Sequence, residues 1–234
     1  TKAMVWAAPP SGPPLGPRDV HLWRGALERP PHETAALSML LAPMELARRD
    51  RFVFEPDRNR YAIARALLRI ILARYLGGPP EEVRLAEDEK GKPLVPGASL
   101  QFNVSHSGGI TLFAVALGRR VGVDLERERV VSEAESIAAR WFGPSERRLL
   151  EATPASERER AFLECWTSKE AQVKALGAGL QAPLAQIDIW RGVAQRNYRM
   201  GGREMGDGAS WTLRQIAAGE GFVASLVVEG DDDW

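Results

Sequence analysis

One order of hydrophobic patterns runs along this chain twice, and that repetition constrains the fold more than any single motif. Val20 to Leu27 reads as a strand. From Arg58 to Leu76 the apolar residues Leu67, Leu68, Ile71, Leu72, Tyr75 and Leu76 recur at helical spacing, and Gly77-Gly78-Pro79-Pro80 stops the helix. Three strands are predicted next, at Val83 to Ala86, Leu100 to Ser105 and Ile110 to Leu117. The second half replays this order. A strand at Val121 to Glu126 leads to helices at Glu133 to Phe142, Pro144 to Ala152 and Ser156 to Leu176, then to strands at Ile187 to Trp190, Trp211 to Ile216 and Phe222 to Val228. The expectation is an α/β (α+β) fold of two similar halves, each a small, mostly antiparallel sheet packed with a long helix. A pseudo-twofold axis would relate them, with a ligand cleft between. The junction falls at Gly118 to Arg120, dividing the chain into residues 20–118 and 119–234. Residues 1–19, with Pro9, Pro10, Pro13, Pro14 and Pro17, read as a poorly ordered tail or an extended strap. Gly201 to Gly208 reads as a surface loop.

Within the second half, Val121-Gly122-Val123-Asp124-Leu125-Glu126 puts Asp124 and Glu126 on one strand face, because side chains alternate. Two carboxylates about 7 Å apart, two strand rises, repel unless a cation lies between them. A hard divalent ion such as magnesium fits, since it takes carboxylate oxygen and keeps room for substrate phosphate. Solvation on an edge strand is the simpler alternative. On the helix that ends at Leu176, Glu170 and Lys174 share a flank, as a cleft-facing couple or an ordinary surface ion pair. Lys169 falls inside the apolar stripe of Phe162, Trp166, Val173 and Leu176, so it must reach an anion or snorkel outward.

Phe102-Asn103-Val104-Ser105-His106-Ser107-Gly108-Gly109 is a strand entering a glycine turn, with hydroxyls, an imidazole and backbone amides of the kind that hold phosphate oxygens. It can equally be only a turn. Gly91-Lys92-Pro93 is a tight turn that fixes one lysine. Arg48, Arg49, Arg51, Arg58 and Arg60 gather basic charge ahead of the first long helix, as a solvated run or as a phosphate clamp.

Composition excludes several classes. Thirty-one basic and 31 acidic residues cancel, so no global field points to nucleic acid or an anionic membrane. The apolar run Leu67 to Leu76 is interrupted by Arg69 and Arg74, and no stretch reaches membrane-span length. The opening apolar segment is too short for a signal peptide. A single cysteine, Cys165, allows no internal disulfide and is expected to be a small buried hydrophobe. A soluble, cytoplasmic protein is expected, and two fused halves make a monomer sufficient.

Taken together, Gly91-Lys92-Pro93, Phe102 to Gly108, Val121 to Glu126 and Trp166-Thr167-Ser168-Lys169-Glu170-Ala171 with Lys174 resemble the ordered motif set of the phosphopantetheinyl transferases. The two-domain, surfactin-synthetase-activating type is the nearest match. The resemblance spans roughly Arg48 to Leu180. It implies transfer of the phosphopantetheine arm of coenzyme A to a serine hydroxyl of an acyl or peptidyl carrier protein, leaving adenosine bisphosphate. By matching position, Asp124, Glu126 and Glu170 would hold Mg²⁺, with Mn²⁺ a possible substitute. Ser105 and His106 would bind donor phosphates, Lys92 would lie by the adenosine, Arg48 and Arg60 would grip its phosphates, and Lys174 would sit beside the bridging oxygen. Glu170 would be the base, directly or through a metal-bound water, with Asp124 and Lys174 the other catalytic groups. Met44 and Glu45 stand where the family can carry another basic donor contact. The carrier surface is expected between Val131 and Leu150, around Arg140, Trp141, Phe142, Arg147 and Arg148, a segment that could instead bury its aromatics in the core. A metal-dependent nucleotide pyrophosphate hydrolase and a non-catalytic carrier-binding module are the alternatives.

Overall fold

The computed structural model describes residues 6–8, 14–177, 197–200 and 208–230. In the first half, strands β1 (Val20–Ala26), β4 (Leu100–Ser107) and β5 (Ile110–Leu117) form an antiparallel sheet in the order β1-β5-β4. Helix α3 (Glu55–Leu76) covers one face of that sheet. Leu68, Ile71 and Leu72 pack there with Phe102, Phe113 and Val115. The helix ends at Gly77, whose φ of 69° lies in the left-handed region open to glycine.

The second half is a four-stranded antiparallel sheet ordered β6-β9-β8-β7: β6 (Val121–Arg127), β7 (Asn197–Met200), β8 (Trp211–Ile216) and β9 (Phe222–Glu229). Helices α4 (Ala134–Trp141), α5 (Pro144–Ala152) and α6 (Arg158–Leu176) cover its outer side around Phe142, Phe162 and Trp211. A central core joins the sheets, with Leu112, Ala114 and Ala116 of β5 against Val121, Val123, Leu125 and Leu226. The apolar side of the Val121–Glu126 alternation therefore buries between the halves, and Asp124 and Glu126 face the other way.

That other face lies against α6, and Gly122 is the reason it can. A Cβ at Gly122 would stand 2.0 Å from the Ala171 carbonyl oxygen and 2.4 Å from the Ala175 nitrogen, so only a residue without a side chain lets helix and strand approach this closely.

Several boundaries differ from the sequence reading. Two helices were not anticipated, α1 (Pro31–Ser38) and α2 (Pro43–Arg49). Each opens on a proline, which suits the first helical position, but neither carries an extended apolar stripe. Arg48 and Arg49 thus end a helix rather than lie in an irregular charged stretch. The strand expected at Val83 to Ala86 is instead a 3₁₀ turn at Pro80–Glu82 followed by a two-residue strand, β2 (Ala86–Glu87), paired with β3 (Pro93–Leu94). The strand expected at Ile187 to Trp190 and most of the Gly201 to Gly208 loop lie outside the described residues. Near the amino end, the Trp6 indole donates to the Ala217 carbonyl at 3.2 Å and Leu15 packs beside the α3 core, as a strap touching both halves would.

Candidate active site

The seam between the halves is built from side chains. β4 runs alongside β6, but no backbone ladder joins them. Instead Asn103 Oδ1, Ser105 Oγ and Ser107 Oγ accept the amide N–H groups of Val123, Leu125 and Arg127 at 2.9, 3.2 and 3.0 Å. Alternate residues of one strand thereby satisfy the open edge of the other.

Asp124 is buried at this seam. Its Oδ1 accepts from Ser105 Oγ at 2.8 Å and from Lys174 Nζ at 2.7 Å, and its Oδ2 is buried with no hydrogen-bond partner. Lys174 therefore turns to Asp124 on the strand, rather than serving only as an i,i+4 partner of Glu170. Ser107 Oγ donates to Glu126 Oε2 at 2.9 Å. Burial, then the Asp124 charge, raises the Glu170 carboxyl above the usual range, with a further push from Glu126 and an opposing pull from Lys174. Burial raises Glu126 as well, outweighing the Ser107 hydrogen bond, and the Asp124 charge adds to it. The three acidic groups named from the sequence thus act on one another electrostatically across β6 and α6.

Among the described residues, no group of three acidic, histidine or cysteine side chains stands in a metal-holding arrangement. The chemistry of the donor set nevertheless fits a hard dication. It offers carboxylate oxygens only, one of them the orphaned Asp124 Oδ2, and two of the three carboxyls are destabilised as anions where a cation would relieve them.

A cleft of 590 Å³ opens beside this seam, lined by Arg48, Arg60, Tyr61, His106, Gly108 and Arg127 among others. Arg48 pairs with Glu87 and Arg60 with Glu28, at 3.3 and 3.2 Å, in exposed contacts that an incoming phosphate can displace. The His106 ring is exposed to the cleft; the protein around it, then the Lys174 charge, hold its imidazole below the usual range. A smaller hollow of 250 Å³, which shares Pro93 with the cleft, is lined by Lys92, Glu170, Val173 and Lys174.

Other residues singled out in the sequence are engaged by protein partners. Ser105, expected at donor phosphates, gives its one proton to Asp124 and accepts from Leu125 N–H and, at 3.1 Å, from Lys174 Nζ, which exhausts a hydroxyl. Lys92, expected by the adenosine, donates to the carbonyls of Lys174, Ala175 and Val121 at 2.8, 3.2 and 3.3 Å. It caps the negative end of α6, and burial pushes its ammonium down to about 8. Arg58 donates to the Phe52 and Val53 carbonyls and holds the loop before α3. Glu45 is not at the cleft; it accepts from Arg65 and Arg69 at 2.8 and 2.7 Å, binding α2 to α3.

In the expected carrier segment, Phe142 is buried and stacks on Phe162 at 5.4 Å, whereas Arg147 lines an open groove beside α4 and α5. Cys165 is free and buried, and burial raises its thiol far above the nucleophilic range. Gly122, Ser107 and Arg127 were not named as site residues. The alternation of Asn103, Ser105 and Ser107 along one strand face was the available signal for Ser107. No helix of the described residues is long and apolar enough to cross a membrane.

Comparison with known proteins assigns both halves to one family. Residues 120–227 match the 4'-phosphopantetheinyl transferase superfamily, and residues 28–117 match the 4'-phosphopantetheinyl transferase N-terminal family. The chain is 35% identical over 230 residues to the 4'-phosphopantetheinyl transferase HetI of a Nostoc species, covering 97% of this chain and 94% of that one. It is 28% identical to the 4'-phosphopantetheinyl transferase Sfp of Bacillus subtilis, over 67% of this chain and 69% of that one. Matches to both halves, and a relative aligned over nearly its whole length, place this chain in the 4'-phosphopantetheinyl transferase family.

Proposed function

We propose that the chain transfers the phosphopantetheine arm of coenzyme A to a serine hydroxyl of an acyl or peptidyl carrier protein. The observation that carries this reading is the Lys174–Asp124 ion pair at the seam, with Glu126 and Glu170 near enough to act electrostatically with Asp124, beside a cleft with Arg48, Arg60 and His106 on its wall. The cleft cations and the His106 ring grip the donor's phosphates. Glu170, on the helix that also carries Lys174, takes the proton of the attacking serine. The serine oxygen bonds to the inner phosphorus as the bond from that phosphorus to the bridging oxygen breaks. Adenosine bisphosphate leaves with its new charge offset by Lys174, without a covalent enzyme intermediate.

Asp124, Glu126 and Glu170 would hold Mg²⁺. When bound, the ion supplies Lewis-acid neutralisation of the pyrophosphate. Both sides of the seam come from one chain, which supports a monomer as the working unit. The free, buried Cys165 supports a reducing, cytoplasmic setting.

The test incubates the purified chain with coenzyme A, Mg²⁺ and an apo carrier protein, followed by mass spectrometry. Gain of one phosphopantetheine on the carrier is expected, and its loss in Asp124→Ala and Glu170→Gln. Near-normal transfer by both folded variants overturns the site assignment. Hydrolysis of coenzyme A without transfer to the carrier overturns the reaction.

A further inference from the structure

Ser105 and Ser107 repeat one arrangement two residues apart. Each hydroxyl accepts the amide N–H of a β6 residue and donates to the carboxylate of the residue before it. Ser105 Oγ accepts from Leu125 at 3.2 Å and donates to Asp124 Oδ1 at 2.8 Å. Ser107 Oγ accepts from Arg127 at 3.0 Å and donates to Glu126 Oε2 at 2.9 Å. Asn103 opens the ladder with the accepting half alone, taking the Val123 N–H at 2.9 Å. The residue before Val123 is Gly122, which has no side chain to orient.

A hydroxyl carries one proton, so each serine directs one oxygen of one carboxylate and no more. The accepted amide fixes where the serine oxygen lies, and the donated proton fixes how the carboxyl group is turned. At Asp124 this assigns Oδ1 to Ser105 and Lys174 and leaves Oδ2, buried and without a hydrogen-bond partner, as the oxygen open to a further ligand. At Glu126 it assigns Oε2 to Ser107.

We infer that Ser105 and Ser107 are positioning residues for the metal donor set, acting through Asp124 and Glu126. The inference rests on the proposed role of Asp124, Glu126 and Glu170 as ligands. It deepens that role by naming what turns two of the three carboxylates. Partners of this kind prevent a ligand from rotating away and are worth about ten- to a hundredfold in metal affinity. Ser105 also receives Lys174 Nζ at 3.1 Å, so its loss disturbs several groups at once, whereas Ser107 gives the cleaner probe.

The experiment measures Mn²⁺ binding to the full chain by electron paramagnetic resonance, without coenzyme A, together with transfer kinetics. Thr and Val at position 107 have nearly the same shape and differ in the hydroxyl. Ser107→Thr is expected to bind Mn²⁺ within about threefold of the parent, and Ser107→Val about tenfold or more weakly. The lost rate in Ser107→Val is expected to return at saturating Mn²⁺, with KM for coenzyme A little changed. Equal Mn²⁺ affinity in the Thr and Val variants overturns the inference, whatever happens to melting temperature. So does a raised KM for coenzyme A at unchanged Mn²⁺ affinity, which makes Ser107 a phosphate contact. If the parent binds no Mn²⁺, or binds it as tightly after Asp124→Ala, the ligand reading itself falls.

Discussion

Lys169 and Glu146 form an ion pair at 2.8 Å with both side chains fully buried. The same Glu146 oxygen accepts the Gly143 amide at 2.7 Å, and the ammonium lies 5.9 Å from the Phe142 ring centroid. The pair fastens α5 to α6 one residue before Glu170, so it fixes the rotation of the helix that presents the acid. Lys169→Met leaves a charged carboxylate in the interior and is expected to cost about 3–5 kcal/mol in urea denaturation. Adding Glu146→Gln removes that charge and is expected to recover much of the loss. A single variant losing less than about 1 kcal/mol contradicts the role given to the pair.

The lysine at this position was legible as an anomaly, since helical spacing placed it among apolar residues, but its partner was not. Nothing local links position 146 to position 169. The strand ends at Trp211 and Ile216 and the span of α5 were legible because period and breakers are local properties. Helices α1 and α2 were not, because their faces are too short and mixed to show a period. At the site, the carboxylates were readable as residue types in a pattern. The use of Lys92 as a helix cap and of Ser105 as a saturated hub depends on which chain segments meet across the seam, and that is a property of tertiary structure.

Gly122→Ala tests how closely β6 and α6 must approach. The added methyl would fall 2.0 Å from the Ala171 carbonyl oxygen, which is helix backbone and has no rotamer to yield. Helix α6 must shift, with Glu170 and Lys174 on it. A stability loss of about 3 kcal/mol is expected, with transfer activity falling further than the folded fraction does. Thermal unfolding and kinetics on the folded protein check it. Parent-like stability and rate contradict it.

Glu45 supplies a pH prediction. Burial alone would raise its carboxyl, but the Ala42 amide and the Arg65 and Arg69 guanidiniums outweigh burial and hold it below the usual value of 4.5. A carboxyl depressed on folding contributes stability that is fully present above its unfolded pKa and is lost as pH falls through the lower folded value. Glu45→Gln is therefore expected to cost about 3 kcal/mol near pH 7, because Arg69 is buried and loses its counter-charge. The gap to the parent should narrow below about pH 4.5. Urea midpoints across that range give the answer, and a gap that stays constant into acid counts against the clamp.

Lys92 and Arg48 should fail in opposite ways. Lys92 Nζ holds the Lys174 and Ala175 carbonyls at the end of α6 and the Val121 carbonyl at the start of β6, so it ties together the elements that carry Lys174 and Asp124. Lys92→Met removes the charge at the negative helix end and leaves those carbonyls short of a donor, which should let the last turn of α6 drift. Turnover should then fall about tenfold or more, with KM for coenzyme A changed much less. Arg48 stands on the cleft wall with only an exposed partner, Glu87, so Arg48→Ala should raise KM for coenzyme A several-fold and leave turnover near the parent's. Steady-state kinetics with saturating carrier protein separates the two. A Lys92→Met variant that raises KM at unchanged turnover returns that lysine to the donor's binding site and removes it from the seam's support.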